Sequence, residues 1–305
     1  MSEFDQQHEP ESLAAGKESG KWIVCPVCPR HCRLSEGQTG FCNGRTASGG
    51  RVVCANYGRI TSLALDSVEK KPLARFYPGS YVLSVGSYGC SLRCPFCQNY
   101  EISYAGEEDI SWRQIRPDQL CRQALSLKSR GCIGLAFTYN EPLIGWEFVR
   151  DTARLAHEAG LKNVLVSNGC ASLAVLEELL PYVDAMNIDL KSFRPEVYRD
   201  LLGGDLETVK AFIARAARNC HMEVTTLIVP GMNDREEEIR DIAAFIAGLA
   251  NVNQDQTDGR HIPLHISRFF PRCQMTDRPP TDTGLIYRLC DAAAEYLEYV
   301  YPGNC

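Results

Sequence analysis

From residue 81 onward the chain alternates between short apolar runs and longer stretches of helical period. Residues 81–85, Tyr-Val-Leu-Ser-Val, read as a buried strand running into Gly86, and residues 133–139 as a second. Residues 143–159 follow as a helix closed by Gly160, a good C-cap. A third strand, 164–166, ends at Ser167-Asn168-Gly169. A helix over 172–180 has Ser172 as N-cap and Pro181 beyond its end. Residues 185–190 form a fourth strand, 206–219 a helix, and 222–229 a fifth strand stopped by Pro230-Gly231. Asp234 caps a helix reaching residue 249, residues 262–269 make the sixth strand, and 281–297 the last helix. This alternation predicts an α/β protein of parallel βαβ units with right-handed crossovers. Six such units are too few for a closed eight-stranded barrel. On pattern alone, a doubly wound open sheet and a partial barrel both remain.

Residues 21–78 do not share the alternation. They carry a cysteine cluster and then, over 51–65, short strand-like runs, so they read as a small Cys-rich N-terminal subdomain ahead of a main domain over 79–305. Residues 254–260 read as a polar loop. The first twenty residues are polar and acid-rich, with Lys17 the only Lys or Arg, and read as a disordered tail. They match neither a secretory nor a mitochondrial leader. No apolar run approaches the roughly 18 residues that span a bilayer. Net charge over the 305 residues is -6, which disfavours wholesale electrostatic binding to nucleic acid.

The chain has 15 cysteines. With no export signal they predict a reducing, cytoplasmic compartment, where clustered cysteines are metal ligands or reactive thiols rather than disulfides. Seven are scattered and read as buried thiols. Three crowd into Cys90-Ser-Leu-Arg-Cys94-Pro-Phe-Cys97, directly after the first strand, where the loops of an α/β sheet face the active site. Three soft thiolates at this spacing suit a [4Fe-4S] cluster that leaves one iron open. Structural zinc, the alternative, would need a fourth ligand, and the next cysteine is Cys121. A second group, Cys25, Cys28, Cys32 and Cys42, supplies four thiolates, enough for zinc or an auxiliary iron-sulfur cluster, with His31 and Cys54 as spare ligands.

The strands carry polar residues in register. In the second, Gly134, Ala136, Thr138 and Asn140 alternate with Leu135, Phe137 and Tyr139, so small and polar groups share one face. In the fourth, Asn187, Asp189 and Lys191 share a face, and in the sixth His265 and Ser267 oppose Leu264 and Ile266. Polar residues converging at successive strand ends predict a binding site; exposed strand ends and an internal Asp189–Lys191 pair are the plainer reading.

The Cys90–Cys94–Cys97 spacing is similar to that of radical S-adenosylmethionine (SAM) enzymes. With Tyr139-Asn140-Glu141-Pro142, Ser167-Asn168-Gly169, Asn187-Ile-Asp189-Leu-Lys191, Val229-Pro230-Gly231 and His265-Ile-Ser-Arg268-Phe269-Phe-Pro271, the chain resembles the radical SAM enzyme of the AmmeMemoRadiSam system. That group is similar to the activating enzymes of pyruvate formate-lyase. The resemblance implies a partial (β/α)6 barrel, a [4Fe-4S] cluster on Cys90, Cys94 and Cys97, and SAM as the second cofactor. It implies reductive cleavage of SAM to a 5′-deoxyadenosyl radical that abstracts hydrogen from an unidentified substrate, a protein among the candidates. A flavodoxin- or ferredoxin-type protein would donate the electron; no membrane or nucleic-acid partner is expected. Glu141 is the expected partner of the SAM ammonium, or else only the start of the next helix, where a carboxylate suits the dipole. Asn140, Asn168, Asp189 and Lys191 complete the expected pocket, with Gly86 and Gly89 allowing close backbone approach. His265 and Arg268 are the catalytic candidates, for proton transfer and for clamping a carboxylate or phosphate. Activation of a glycyl-radical enzyme is the narrower alternative. A zinc-binding interaction module is the alternative of another class.

Overall fold

A computed structural model describes residues 22–250 and 258–305. The tail expected over 1–20 and the loop residues 254–257 lie outside the described residues. The centre is one eight-stranded sheet: β1 Ser62–Ser67, β2 Tyr81–Gly86, β3 Cys132–Phe137, β4 Lys162–Ser167, β5 Ala185–Asp189, β6 His221–Ile228, β7 Leu264–Arg268 and β8 Val300–Gly303. Each strand pairs with the next in sequence; β1–β2 is antiparallel and every later pair is parallel. A doubly wound sheet reverses its strand order partway. This order never reverses, so the crossovers wind one way and the sheet is of the partial-barrel type.

Among the described residues, six α-helices of seven residues or more lie in the crossovers: α1 Pro117–Ser126, α2 Trp146–Glu158, α3 Leu173–Leu179, α4 Leu206–Ala216, α5 Glu236–Ala247 and α6 Thr283–Ala294. With β2–β7 they give the six β/α units that the resemblance implies. Helix α1 was not read from the sequence, although Pro117 stands in its first turn and Gln119 caps the Arg116 amide. Strand β8 was also missed; it is four residues long and contains Pro302, which an edge strand tolerates. Strand β1 lies within the segment read as a separate subdomain, yet it is the other edge of the main sheet.

Period two sorts the side chains of β3. Leu135 and Phe137 join the large core under the helices, while Ala136 joins a small cluster with Val82, Val164, Ala185, Leu73 and Phe76. The small face therefore looks into the barrel. Residues 72–75 close the barrel's far end: Asn187 Nδ2 donates to the Pro72 carbonyl, and the amides of Ala74 and Arg75 donate to Glu223. The N-terminal ribbon Arg45–Ser48/Arg51–Cys54 is tied to α2 by a buried ion pair, Arg45 Nη1 to Glu147 Oε2 at 2.6 Å.

Candidate active site

The chain leaves β2 at Gly86 into a loop that carries Cys90, Cys94 and Cys97. Neighbouring side chains hold its backbone. Asn140 Oδ1 accepts from the Ser87 amide at 2.9 Å, and its Nδ2 donates to the carbonyls of Tyr88 and Gly89. Tyr104 donates its hydroxyl proton to the Cys94 carbonyl at 2.8 Å, and the Cys90 amide donates to the Cys42 carbonyl at 3.1 Å. All three cysteines line one cleft of about 280 Å³ at the C-terminal ends of the parallel strands.

Burial pushes the three thiols up, Cys94 to about 12, although Lys191 pulls that one down. A metal that binds here must displace their protons. The donor set fits an iron-sulfur cluster with one open iron. Three soft sulfurs face one space, and the Leu92 amide (3.4 Å) and Asn168 Nδ2 (3.6 Å) point at the Cys90 sulfur. No fourth cysteine is among the described residues lining the cleft. Among the described residues no three His, Cys, Asp or Glu side chains converge on a single ion; in a cluster each thiolate takes its own iron.

Glu141 is 2% exposed and bridges β3 to β4. Its Oε1 accepts from the Ser167 hydroxyl (2.7 Å) and the Leu143 amide (3.0 Å), and its Oε2 from the Asn168 amide (2.8 Å). It therefore caps the turn Pro142–Gly145 and also lines the cleft. Burial pushes its carboxyl up to about 7, against the pull of those three donors. Asp189 and Lys191 both line the cleft and pair at 2.9 Å. Burial pushes the Lys191 ammonium down, but Asp189 and the Cys94 sulfur outweigh it and hold it above the usual lysine range. Asn168 lines the cleft as well, with Nδ2 3.2 Å from Ser91 Oγ.

The other expected site residues lie elsewhere. Gly86 and Gly89 do not line the cleft; a Cβ on Gly86 would press on Tyr139, and one on Gly89, where φ is +86°, would collide with the Cys42 carbonyl. His265 sits one layer deeper than Ser267, the residue of β7 that does line the cleft. Its Nε2 lies 2.6 Å from Glu223 Oε2, and Glu223 Oε1 lies 2.9 Å from His221 Nε2. Burial raises the Glu223 carboxyl, but the bonds from both histidines outweigh it and hold the group at about 2. Arg268 donates from Nε to the Thr281 carbonyl at 2.6 Å and stacks on Phe270; it too is absent from the cleft wall.

Sequence reasoning passed over Tyr139, Ser167, Thr225, Leu227 and Asn304, all of which line the cleft. Thr225 and Leu227 share the inward face of β6, a period-two signal that reading the fifth strand by faces exposes. Tyr139 stands at φ 71°, a costly conformation for a non-glycine residue, with its hydroxyl donating to Asp66 Oδ2 and its carbonyl accepting from Asn99 Nδ2. Asn304 arrives from β8.

Cys25, Cys28, Cys32 and Cys42 line a small second pocket, which Ser91 of the cleft loop also reaches. Burial pushes Cys28 up to about 12 and raises Cys25 and Cys42. The two spare ligands do not line it: His31 turns Nδ1 to the Cys25 carbonyl at 3.3 Å, and Cys54 donates to Asn56 Oδ1 at 3.1 Å.

A family model described as the radical SAM superfamily matches residues 84–246. An uncharacterized protein of Methanocaldococcus jannaschii is 38% identical over 96% of this chain and 85% of its own. The pyruvate formate-lyase 1-activating enzyme of Escherichia coli is 25% identical over 54% of this chain and 68% of its own. The crystal structure of Streptococcus suis SuiB superposes with a TM-score of 0.55 at 13% identity, over 72% of this chain and 48% of that one, a likeness of fold alone.

Proposed function

From the premise that this chain belongs to the radical SAM superfamily and is an enzyme, we propose that its cleft binds a [4Fe-4S] cluster and SAM side by side. The observation that carries the reading is the convergence of Cys90, Cys94 and Cys97 with Glu141, Asn168 and the Asp189–Lys191 pair on one cleft. Bound there, the two groups would supply reductive cleavage of SAM to methionine and a 5′-deoxyadenosyl radical able to take a hydrogen atom from the substrate.

The chain's own residues do the rest. Cys90, Cys94 and Cys97 give up their protons and hold three irons. Glu141 accepts the methionyl ammonium; a cation there favours the ionised carboxylate and offsets the burial that raises its pKa. Asn168, beside it, fixes the Cys90 side of the cleft, and Asp189 and Lys191 offer one acceptor and one donor set to the rest of SAM. Asn140, Gly86 and Gly89 act through the loop, letting its backbone pack against Tyr139 and Cys42. His265 and Arg268 are positioning residues: His265 steadies Glu223 at the barrel floor, and Arg268 ties the end of β7 to Thr281. The protein works in the cytoplasm and draws its electron from a flavodoxin- or ferredoxin-type donor. The N-terminal cysteines hold a second centre, an iron-sulfur cluster rather than zinc, because no three of these thiols converge on a single ion.

The narrower version, activation of a glycyl-radical enzyme, draws support from the E. coli relative, a pyruvate formate-lyase 1-activating enzyme matched over 54% of this chain. The test is anaerobic turnover of SAM with dithionite, followed by mass spectrometry of 5′-deoxyadenosine. Methionine and 5′-deoxyadenosine should form. Deuterium passing from a deuterated partner protein into 5′-deoxyadenosine supports a protein substrate. Deuterium only from small molecules removes the activase version, and no SAM cleavage at all removes the whole reading.

A further inference from the structure

The electron has to reach the three-cysteine loop without entering through the cleft, which SAM and substrate occupy in the reading above. The back of that loop is covered by residues 41–43. The Cys42 carbonyl accepts from the Cys90 amide at 3.1 Å, the Phe41 carbonyl accepts from Arg93 Nη2 at 2.6 Å, and Asn43 Nδ2 donates to the Tyr104 carbonyl at 3.0 Å. The cover reaches the surface at Phe41, which is 36% exposed and does not line the cleft. Phe41 instead borders the four-cysteine pocket, while its carbonyl and ring both meet Arg93 of the three-cysteine loop.

Two guanidiniums flank that ring. Arg30 lies 3.5 Å and Arg93 4.3 Å from its centroid. Each is fixed by backbone carbonyls, Arg30 by Gly203 and Arg93 by Cys90, Leu92 and Phe41. Among the described residues neither has a carboxylate partner. Arg45, Arg116, Arg150, Arg199, Arg215 and Arg240, by contrast, are each neutralised by an Asp or Glu. In a chain of net charge -6, these are two cations held together around an aromatic anchor. Arginine and aromatic side chains are the types that dominate interface cores, and pre-ordered ones lose little entropy on binding.

We propose that Phe41, Arg30 and Arg93 form the docking surface for a small acidic one-electron carrier protein. The inference rests on the radical SAM reading and adds the entry point. The patch carries the positive charge that complements an acidic partner, and a protein seated there leaves the cleft open. In the docked complex one electron leaves the carrier's reduced cofactor, which is oxidised by one electron. The centre held by Cys90, Cys94 and Cys97 is reduced by that electron.

The experiment uses the cluster-loaded full chain and reduced flavodoxin, an acidic protein, with dithionite as the small-molecule control. Cluster reduction is followed by loss of visible absorbance in stopped flow. Wild type should be reduced by flavodoxin at a rate that falls as salt rises from low ionic strength, where charges at an interface act over about 10–30 Å. Arg30→Glu should slow this reduction about tenfold or more and flatten its salt dependence, because it reverses a charge that steers encounter. Arg30→Gln should fall between the two. Iron content and the dithionite rate should be unchanged in both variants, which separates docking from folding or cluster loss. An unchanged flavodoxin rate in Arg30→Glu, or no reduction of wild type by flavodoxin while dithionite works, overturns the proposal. Failure of SAM cleavage with dithionite overturns the underlying reading instead.

Discussion

The two cysteine groups sit on adjoining loops, yet their surroundings differ. Cys90, Cys94 and Cys97 face a cleft of about 280 Å³ whose other walls carry Glu141, Asn168, Asp189 and Lys191. Cys25, Cys28, Cys32 and Cys42 face a small pocket shared with Val27, Arg30, Phe41, Arg45, Ser91 and Ile144. In both, burial raises thiols well above their ordinary range, so both resist ionisation until a metal replaces the protons. Thiol chemistry therefore does not separate them; the space beside the sulfurs and the carboxylates in its wall do. A group with room next to it can admit a second ligand, while a wrapped group can hold only what it surrounds.

The sharpest way to break this comparison is to remove each group in turn. Cys90→Ala/Cys94→Ala/Cys97→Ala should abolish SAM cleavage and remove about four irons by anaerobic metal analysis. Replacing Cys25, Cys28, Cys32 and Cys42 together by Ser should leave those irons and SAM binding in place while removing any further bound metal. Loss of SAM cleavage in the second variant alone would invert the assignment.

A smaller effect concerns what anchors the closed group. Arg45→Ala leaves Glu147 as a buried, unpaired charge, because Arg45 is its ion-pair partner and also donates to the Val52 carbonyl. Breaking a buried pair from one side costs about 3–5 kcal/mol, and denaturant unfolding should show it. Replacing both partners together by apolar residues should recover most of the loss.

The smallest expected effect sharpens the open group. Glu141→Ala should weaken SAM binding by about 1.5–3 kcal/mol, the worth of a hydrogen bond to a charged group. Because the Glu141 carboxyl stands at about 7, SAM affinity should also fall as pH drops below 7, where the site must lose a proton to bind a cation. The sign for stability is opposite. A carboxyl raised on folding contributes stability that is present below its unfolded value and lost as pH rises through about 7. Equilibrium binding of SAM at pH 6, 7 and 8 checks the first, with Glu141→Gln expected to be flat. Equal affinity at all three pH values in wild type would place the ammonium elsewhere.

Much of this was legible from local pattern. The strands β2–β7 and five of the six helices were read within a few residues of their ends, because period and capping are properties of short segments. Helix α1 escaped although its signals were local: Pro117 opens it and Leu120 and Ala124 supply a buried i, i+4 pair. The edge β8 escaped because an edge strand needs only one partner and little apolar pattern, and β1, within the strand-like runs expected over 51–65, was not placed in the main sheet because its pairing with β2 is set by tertiary structure. Glu141, Asn168, Asp189 and Lys191 reached the cleft because strand ends share one rim. Asn140 lines the cleft too and also holds the loop's backbone, while Gly86 and Gly89, expected to allow close backbone approach, do so against Tyr139 and Cys42.

By itself, the sequence determined the βαβ alternation, the three-thiolate spacing on one loop and the inward faces of β3, β5 and β7. All three depend on residues within a few positions of one another. Tertiary structure alone decided depth. His265 and Ser267 point the same way from β7, about 7 Å apart along the strand. Ser267 lines the cleft, while His265 is held at the barrel floor by Glu223. That floor exists because the amides of Ala74 and Arg75, 149 and 148 residues away in sequence, reach the same carboxylate. Alternation assigns a side chain to a face, but its partners come from distant segments, and only the packed chain brings them together.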